Sequence, residues 1–239
     1  MSKKLAISQS NYIPWKGYFD NIALADEFVL YDDMQYTRRD WRNRNQIKTA
    51  QGLIWLTIPV EVKGKYFQKI KDTKISDKKW AKDHLKTIQF NYTKAKQYKE
   101  VLPFLENLYN EAEKLDYLSE VNYLFLDAIC RYLDITTTLK FSSDFAYQSE
   151  DRNARLIEIC KIAGATDYYS GPAAKSYMDI TLFEKNNINV HWYSYDGYAE
   201  YSQLYPPFTH GVSIIDLLLN EGKNSKNYLK YTILCNNLK

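Results

Sequence analysis

The chain has 239 residues, enough to bury a large core as one domain or as a domain with an inserted subdomain. Its hydrophobic content of 45% is ordinary for a globular protein, and a mean hydropathy of -0.51 argues against a membrane protein. No apolar run approaches the roughly 20 residues that cross a bilayer, and the first residues lack the apolar segment of a secretory signal. We therefore predict a cytoplasmic protein without an integral membrane segment.

The net charge of +3 is too small to indicate a nucleic-acid-binding protein by itself. Its distribution is uneven, because the segment from Lys63 to Lys99 is rich in lysine. A solvated face is the simpler interpretation of this segment. A contact surface for RNA or for anionic lipid headgroups is the alternative. The 22 tyrosines are an excess, and a phenol offers a flat apolar face and one hydroxyl for recognition of sugars or bases.

Three cysteines, Cys130, Cys160 and Cys235, are widely spaced and form no CxxC pair. This arrangement predicts neither disulfides nor a zinc site, and we assign no metal ligands. The neighbours of Cys130 and Cys160 are apolar at helical spacing, so both thiols are predicted to be buried and inert.

The first elements form a predicted βαβ unit. A short apolar run from Leu5 to Ile7 indicates a buried strand, the spacing of Phe19, Ile22 and Ala23 indicates a short helix, and the run from Phe28 to Tyr31 indicates a second strand. Such units form parallel sheets with right-handed crossovers. Because ligands of open α/β sheets bind beyond the carboxyl ends of the strands, we expect the loop 9–15 and the turn 32–35 to face one crevice.

The polar residues after these two strands are the predicted ligand site. Arginine binds phosphate through two parallel hydrogen bonds, so four arginines within seven residues suggest an anionic ligand with a sugar or aromatic part. The alternative is a solvated turn in which aspartate and arginine pair with each other. Asp32 and Asp33 are the candidate catalytic bases. The candidate substrate-binding residues here are Gln9, Asn11, Tyr12, Trp15, Gln35, Arg39, Arg42 and Arg44.

The next segments predict a hairpin and a helical block. Residues 46–48 and 53–60 indicate two strands joined by a glycine-containing turn, and the nearly continuous apolar sequence of the second predicts that it lies inside the sheet. A helix is predicted to begin at Ser76 as its N-cap, with His84 packed in the core rather than acting as a ligand. Two further helices follow, the second capped by Ser119. Residues from about 76 to 134 are therefore predicted to form either a helical insertion or a helical layer on the sheet, within a single unit spanning residues 1–239.

The βα alternation resumes with a predicted strand at 138–141 and an amphipathic helix at 152–163 that Gly164 ends. A strand at 167–170 then opens into a helix, and Ser170 at this junction either binds phosphate or caps the helix. The last predicted strand covers 189–195 and contains His191, to which we assign no role.

The tail from Tyr201 is predicted to be a loop that leads into a helix. Ser213 is the expected N-cap, with Asp216 completing an approximate capping box and Gly222 ending the helix. His210 in this loop is our candidate for proton transfer because histidine titrates nearest to neutral pH, and packing of the loop is the equal alternative. Tyr201 and Gln203 complete the predicted substrate-binding residues.

Together these elements predict an α/β protein with a mainly parallel, Rossmann-like αβα sheet and a helical insertion. Their order is similar to that of nucleotidyltransferase folds of the pantothenate synthetase type, although the corresponding turn, residues 14–17, has no histidine. Fold analogy alone assigns no function. No Walker loop, GxGxxG, HExxH or GxSxG is present, so the signatures of common ATPases, dehydrogenases, zinc proteases and hydrolases are missing.

Four stretches in order along the chain resemble the WbqC-like family of bacterial proteins. This family is associated with gene clusters for O-antigen and other surface polysaccharides, so the resemblance implies a role in making or decorating an activated sugar. The stretches are ISQSNYIPWKGYFDNIALADEFVLYDDMQY, RRDWRNRNQIK with the IWLTIPV that follows it, YYSGPAAKSYM and YSQLYPPFTHGVSIIDLLLNEG.

Our leading hypothesis is a transferase that modifies a nucleotide-linked amino sugar by N-acylation or aminoacylation. The reaction needs orientation, a base for the ammonium proton and donors for the developing oxyanion, but no certain cofactor beyond an activated acyl or aminoacyl donor. A donor carried by transfer RNA would give the segment 63–99 a purpose. The alternative is a non-catalytic protein that binds a sugar nucleotide or a partner enzyme. Transfer of a whole sugar through Mg²⁺ on Asp32 and Asp33 is less favoured, because adjacent side chains of a strand point in opposite directions.

Overall fold

The computed structural model describes residues 2–230, and its centre is a five-stranded parallel sheet. The strand order is β5-β2-β1-β6-β7, and a separate antiparallel hairpin is formed by β3 and β4. The strands are β1 (Lys4–Ser8), β2 (Glu27–Leu30), β3 (Arg44–Thr49), β4 (Gly52–Thr57), β5 (Thr138–Phe141), β6 (Asp167–Ser170) and β7 (Asn189–Trp192). The predicted α/β class with a mainly parallel sheet is confirmed.

Seven α-helices of the described chain cover the sheet and extend beyond it. They are α1 (Lys16–Ala23), α2 (Trp80–Tyr92), α3 (Tyr98–Ala112), α4 (Leu118–Tyr132), α5 (Arg152–Ala163), α6 (Ile180–Glu184) and α7 (Ile214–Glu221). Short 3₁₀ segments occur at Ile70–Asp72, Ser142–Asp144, Pro172–Ser176 and Gly222–Tyr228. No helix within residues 2–230 is long and apolar enough to cross a membrane.

The sheet separates two hydrophobic cores because successive side chains of a strand point to opposite faces. On β1, Ala6 belongs to the larger core, which includes residues of α1, α2, α3, α4 and α7. Leu5 and Ile7 belong to the smaller core, which includes residues of α5 and α6. With both faces covered, β2 is buried at every position, as is typical of parallel sheets.

The β3–β4 hairpin forms as predicted, but its predicted position inside the main sheet is wrong. Its two strands pair only with each other, and β4 alternates between Leu56, which is buried, and Trp55, which is 41% exposed. The outward face of β4 also carries large apolar side chains. The sequence therefore lacks the alternation of apolar and polar residues that marks a half-buried strand.

Two predicted helix starts are also corrected. Helix α2 begins at Trp80 rather than at Ser76. Helix α4 is preceded by Tyr117, whose backbone N-H donates to the Glu120 carboxylate at 3.2 Å, and the predicted cap Ser119 lies inside the first turn. The Ser119 hydroxyl instead donates to the Asp32 carboxylate. By contrast, Gly164 ends α5 with a φ of 68°, as its residue type predicts.

The predicted core role of His84 is confirmed. Its Nδ1 lies 3.0 Å from the Tyr12 hydroxyl, which lies 2.7 Å from the Tyr109 hydroxyl, and all three side chains are buried. Burial lowers the pKa of His84 to about 4 because the charged imidazolium would lose its hydration. Cys130 and Cys160 are buried free thiols, as predicted, and Cys235 lies outside the described residues.

The neutral His84 makes the stability of the fold depend on pH. The unfolded chain binds a proton near pH 6.5, whereas the folded chain binds it only near pH 4, so stability is lost as pH falls through this window. The shift corresponds to at most about 3 kcal/mol. We expect His84→Gln to flatten the change in unfolding free energy between pH 6.5 and 4, measured by urea titration. The half-buried His191, which lies on β7 outside the core, provides the control variant His191→Gln, and an equal flattening there would contradict the interpretation.

Candidate ligand-binding crevice

The strand order places a topological switch point between β1 and β6. From the central β1 the chain first adds β2 on one side, and it later adds β6 on the other. The loops that leave the carboxyl ends of these strands therefore diverge, which opens a crevice where ligands of α/β sheets bind. Gln9 after β1 and Gly171 after β6 line a cavity of about 630 Å³ at this point, the first lobe of the crevice.

The first lobe is cationic and aromatic. Arg42 reaches it from the loop before β3, whereas Arg152 and Arg155 reach it from the first turn of α5. The Arg152 guanidinium lies 4.5 Å from the ring centroid of Tyr177, which also lines the lobe. No aspartate or glutamate is among the lining residues, all of which belong to the described chain. The other phenols in the lining are those of Tyr31, Tyr168, Tyr193 and Tyr195.

Several polar atoms of the first lobe have no acceptor or donor within residues 2–230. The Tyr31 hydroxyl and the Nε atoms of Arg42 and Arg155 are all buried without a hydrogen-bond partner. Burial raises the pKa of Tyr31, and the neighbouring Arg155 charge opposes this rise. Unpaired buried donors cost free energy, so an anionic or hydroxyl-bearing ligand would stabilise this arrangement.

The second lobe has a volume of about 680 Å³ and is continuous with the first. The two share Ser8, Arg42, Ala173 and Tyr195, so Arg42 lies at their junction. The Arg42 guanidinium donates to the Asn11 side-chain oxygen and lies 3.7 Å from an Asp40 carboxylate oxygen. The other lining residues are Asn11, Pro14, Trp15, Tyr18, Trp41, Asn45, His210 and Gly211.

Helix α4 holds the loops that form both lobes. The Asn122 amide donates to the Ser10 hydroxyl at 2.9 Å and to the Arg42 backbone carbonyl at 3.0 Å. Residues three positions apart share a helix face, and Ser119 on the same face donates to Asp32. The helical block therefore positions the crevice in addition to covering the sheet.

His210 lies in the second lobe as a neutral base. Its ring packs edge-on against Phe208 at 4.6 Å, and its Nδ1 is buried without a partner among the described residues. Burial lowers the pKa of His210, and the nearby Lys16 charge lowers it further. A neutral imidazole with a free nitrogen can accept a proton from a bound substrate.

The structure brings together about half of the predicted site residues. Those that line the crevice are Gln9, Asn11, Trp15, Arg42, Ser170 and His210. Those that do not line either lobe are Tyr12, Asp32, Asp33, Gln35, Arg39, Arg44, Tyr201 and Gln203.

The two carboxylates predicted as bases have structural partners. Asp32 is buried and accepts the Ser10 backbone N-H at 2.9 Å and the Ser119 hydroxyl. Burial raises the pKa of Asp32, and these hydrogen bonds oppose the rise. Burial also raises the pKa of Asp33, but the Lys71 ammonium at 2.6 Å and the Ser142 hydroxyl at 2.7 Å more than offset it, so the net pKa is lowered.

Tyr201 and Gln203 belong to a second polar cluster around Asp216. The Asp216 carboxylate accepts the hydroxyls of Tyr92 and Tyr201, both at 2.7 Å, and the Gln203 amide at 3.0 Å. The predicted capping box of α7 is therefore wrong, because its carboxylate is directed to these donors. Ser213 is the N-cap, as predicted, and accepts the Ile215 backbone N-H at 3.3 Å.

The sequence interpretation missed the two arginines of α5. The apolar spacing predicts only an amphipathic helix, but in the first turn of this helix Arg152 and Arg155 are three residues apart and share one face. That spacing, directly after the N-cap Asp151, is the signal that could have identified them. Tyr193 was also missed, and Gly171 allows its approach because a Cβ at Gly171 would lie 2.9 Å from the Tyr193 hydroxyl.

The fold is that of an α/β protein with a crevice at the switch point of a parallel sheet. The chain belongs to the WbqC-like protein family, whose model matches residues 9–228. It is similar to a protein of Mycobacterium tuberculosis (strain ATCC 25618 / H37Rv) that is described as uncharacterized protein Rv1507c. The two are 50% identical over 229 residues, covering 96% of this chain and 98% of the mycobacterial one. No solved structure matches the chain.

The position of the Trp15 indole depends on Gly17. A Cβ at Gly17 would lie 2.3 Å from the indole ring, which is 5.1 Å from the ring of Tyr195. Helix propensity favours alanine over glycine by up to about 1 kcal/mol. We nevertheless expect Gly17→Ala to lower the unfolding free energy by about 1 kcal/mol or more, because the indole must move. Urea unfolding measures the sign, and a gain in stability would contradict this steric role.

Gly211→Ala is the matched control for this substitution. Gly211 lines the same lobe, and a Cβ there meets no atom within 4 Å. Its effect on stability should stay within about 0.5 kcal/mol, as is usual for unstrained surface positions.

Proposed function

We propose that the crevice binds a nucleotide-activated amino sugar and that the protein transfers an acyl or aminoacyl group to the sugar amine during surface-polysaccharide biosynthesis. The observation that carries the proposal is the convergence of Arg42, Arg152 and Arg155 on one tyrosine-lined cavity without a carboxylate in its lining. Membership of the WbqC-like family supports the assignment to activated-sugar metabolism.

The first lobe matches the diphosphate and nucleoside of such a ligand. Guanidinium groups bind phosphate oxygens through paired hydrogen bonds, and three of them can neutralise the charge of a diphosphate. Phenol rings supply flat faces and hydroxyls for a base and a ribose. Because Arg42 also faces the second lobe, a diphosphate at the junction would direct the attached sugar towards His210.

The proposed reaction is attack of the sugar amine on the carbonyl carbon of the donor. A carbon-nitrogen bond forms, the bond from the acyl carbon to the donor's leaving group breaks, and the His210 imidazole accepts the proton from the amine nitrogen. His210 is suited to this step because it lines the second lobe and because burial and the Lys16 charge lower its pKa, which favours the neutral imidazole. Arg42 can stabilise the negative charge that develops on the carbonyl oxygen.

A non-catalytic sugar-nucleotide-binding protein of the same pathway is the second candidate. The observation that favours it is the engagement of both predicted carboxylate bases, Asp32 and Asp33, in hydrogen bonds outside the crevice lining. Among the lining residues, His210 is then the one side chain left to act as a base.

The arginines of α5 provide the binding test. We expect Arg155→Ala to weaken binding of a UDP- or dTDP-linked amino sugar by about 10- to 100-fold, measured by isothermal titration calorimetry, because a hydrogen bond to a charged group contributes about 1.5–3 kcal/mol. The loss of affinity caused by Arg155→Ala should be smaller for the free amino sugar, because this ligand lacks phosphate. Arg131→Ala is the control, since Arg131 is exposed on α4 and pairs with Asp127. An equal loss in both variants would place the ligand outside the first lobe.

His210 provides the catalytic test. With the amino-sugar nucleotide and a panel of acyl and aminoacyl donors, we expect mass spectrometry to show a new amide product whose rate falls about 100-fold or more in His210→Gln. Ligand affinity should change little. The wild-type rate should fall as pH drops and His210 becomes protonated, with its midpoint below the usual pKa of 6.5. Tight binding without product from any donor would support the non-catalytic candidate.

A further inference from the structure

An exposed surface that adjoins the second lobe of the crevice alternates aromatic rings with cations. We call it the strip, and we define it by Arg38, Trp41, Arg44, Trp55, Tyr66 and Phe67. Trp41 and Trp55 are 43% and 41% exposed, and their ring centroids are 5.4 Å apart. The Arg44 guanidinium lies 4.0 Å from the Trp55 ring centroid. The strip thus begins with two indoles and a stacked guanidinium.

The hairpin geometry explains why Trp55 faces outward. In the β3–β4 pairing, Gln46 is opposite Trp55 and Arg44 is two residues away along β3, so Arg44 and Trp55 share a face. The other face carries Leu56 and Ile47, which belong to the larger core. Both indoles remain about two-fifths exposed although they pack on each other, and an exposed aromatic patch of this kind marks an interaction surface.

Backbone contacts connect the indoles to the loop 61–69. Arg44 donates to the carbonyl of Arg39, and Arg38 donates to the carbonyl of Val62 at 3.0 Å. The loop then presents Tyr66 and Phe67, which are 76% and 82% exposed with ring centroids 4.9 Å apart. These side-chain hydrogen bonds join the hairpin to the arginine-rich turn, and the turn to this loop.

The charges along the strip are mostly positive. Arg39, Lys63 and Lys69 are exposed beside it, whereas the acidic neighbours are engaged: Glu61 pairs with Lys65, and Asp40 accepts the Thr37 hydroxyl at 2.6 Å. Further along the segment 63–99, Lys71, Lys78 and Lys82 pair with acidic side chains. Exposed lysines occur on the rest of the segment as well, at Lys86, Lys94 and Lys96, so positive charge extends from the strip along the segment 63–99.

We propose that the strip binds single-stranded RNA. Aromatic rings on which bases stack, interleaved with cations that follow the phosphates, are the features that proteins use for single-stranded nucleic acid. Aromatic residues and arginine are also enriched in interfaces between proteins, but lysine is depleted there, whereas Lys63 and Lys69 lie exposed beside the strip. A double helix would hide its bases from the rings. Trp41 also lines the second lobe, so an RNA end stacked on Trp41 and Trp55 leads into the crevice. This route would deliver an aminoacyl group carried on an RNA 3′ end, and that role rests on the proposed function.

The test is fluorescence anisotropy with a labelled single-stranded RNA of about twelve nucleotides and with a duplex of the same composition. Trp55→Ala and Phe67→Ala should each weaken binding of the single strand about tenfold, whereas Trp55→Phe should retain most of the affinity. Arg38→Ala should reduce the salt dependence of binding. Phe90→Ala is the matched control, because Phe90 is 83% exposed on α2 outside the strip.

Three results would overturn the proposal: no binding of the single strand at low salt, equal binding of the duplex, or an equal loss in Phe90→Ala. Binding of anionic vesicles that competes with the RNA would assign the strip to a membrane surface and would also overturn it. Titration of Trp55→Ala with the amino-sugar nucleotide separates the two proposals, because Trp55 is outside the crevice lining. Normal sugar-nucleotide binding without RNA binding refutes the strip alone, whereas RNA binding without sugar-nucleotide binding refutes the function of the crevice.

Discussion

The crevice depends on the pairing of β1 with a parallel strand on each side. Leu5 is in register with Glu27 of β2 and with Tyr168 of β6, so three carboxyl ends meet at one edge of the sheet. The chain leaves β1 and β6 in different directions, since the first leads into α1 and the second into the segment 171–179. The strand order alone creates the space between the diverging loops. The side chains of those loops then determine the chemistry of that space.

Two buried carboxylates maintain the loops around this space. Burial raises the pKa of both Asp32 and Asp216, and each is compensated by several donors. Asp32 connects the end of β2 with Ser10 and with α4, while Asp216 connects α7 with α2 and with the tail loop that carries His210. Removing a buried carboxylate that is surrounded by donors strongly destabilises the fold. The structure therefore constrains the identity of both residues independently of any ligand.

The sequence was sufficient for the order of elements because that order follows from local signals. The apolar runs of β1 and β2, the periodicity of α5 and the left-handed Gly164 each act within a few residues. The positions of loop side chains depend on distant partners instead. The stacking of Arg44 on Trp55 and the contact of Arg38 with Val62 direct both arginines out of the crevice.

The same distinction explains the errors at the site. Four arginines between 38 and 44 suggested one cluster, but only Arg42 among them reaches the crevice. Its companions, Arg152 and Arg155, come from more than a hundred residues later in the chain, and nothing local in either segment indicates that they meet. The residue types at a strand end thus predict that a site exists more reliably than they identify its members, because a carboxylate or guanidinium there can equally bind another loop.

The electrostatic character of the crevice constrains the chemistry it can support. A lining with three guanidinium groups and no carboxylate disfavours a bound ammonium, so the pKa of a substrate amine would fall and more of it would be the nucleophilic free base. Lys16 acts in the same direction on His210 and helps to keep the imidazole neutral. A diphosphate in the first lobe would compensate much of this charge, but the amine of the attached sugar would lie beyond Arg42, where the lining is aromatic and amide. The lining of both lobes therefore favours anionic groups over cationic ones.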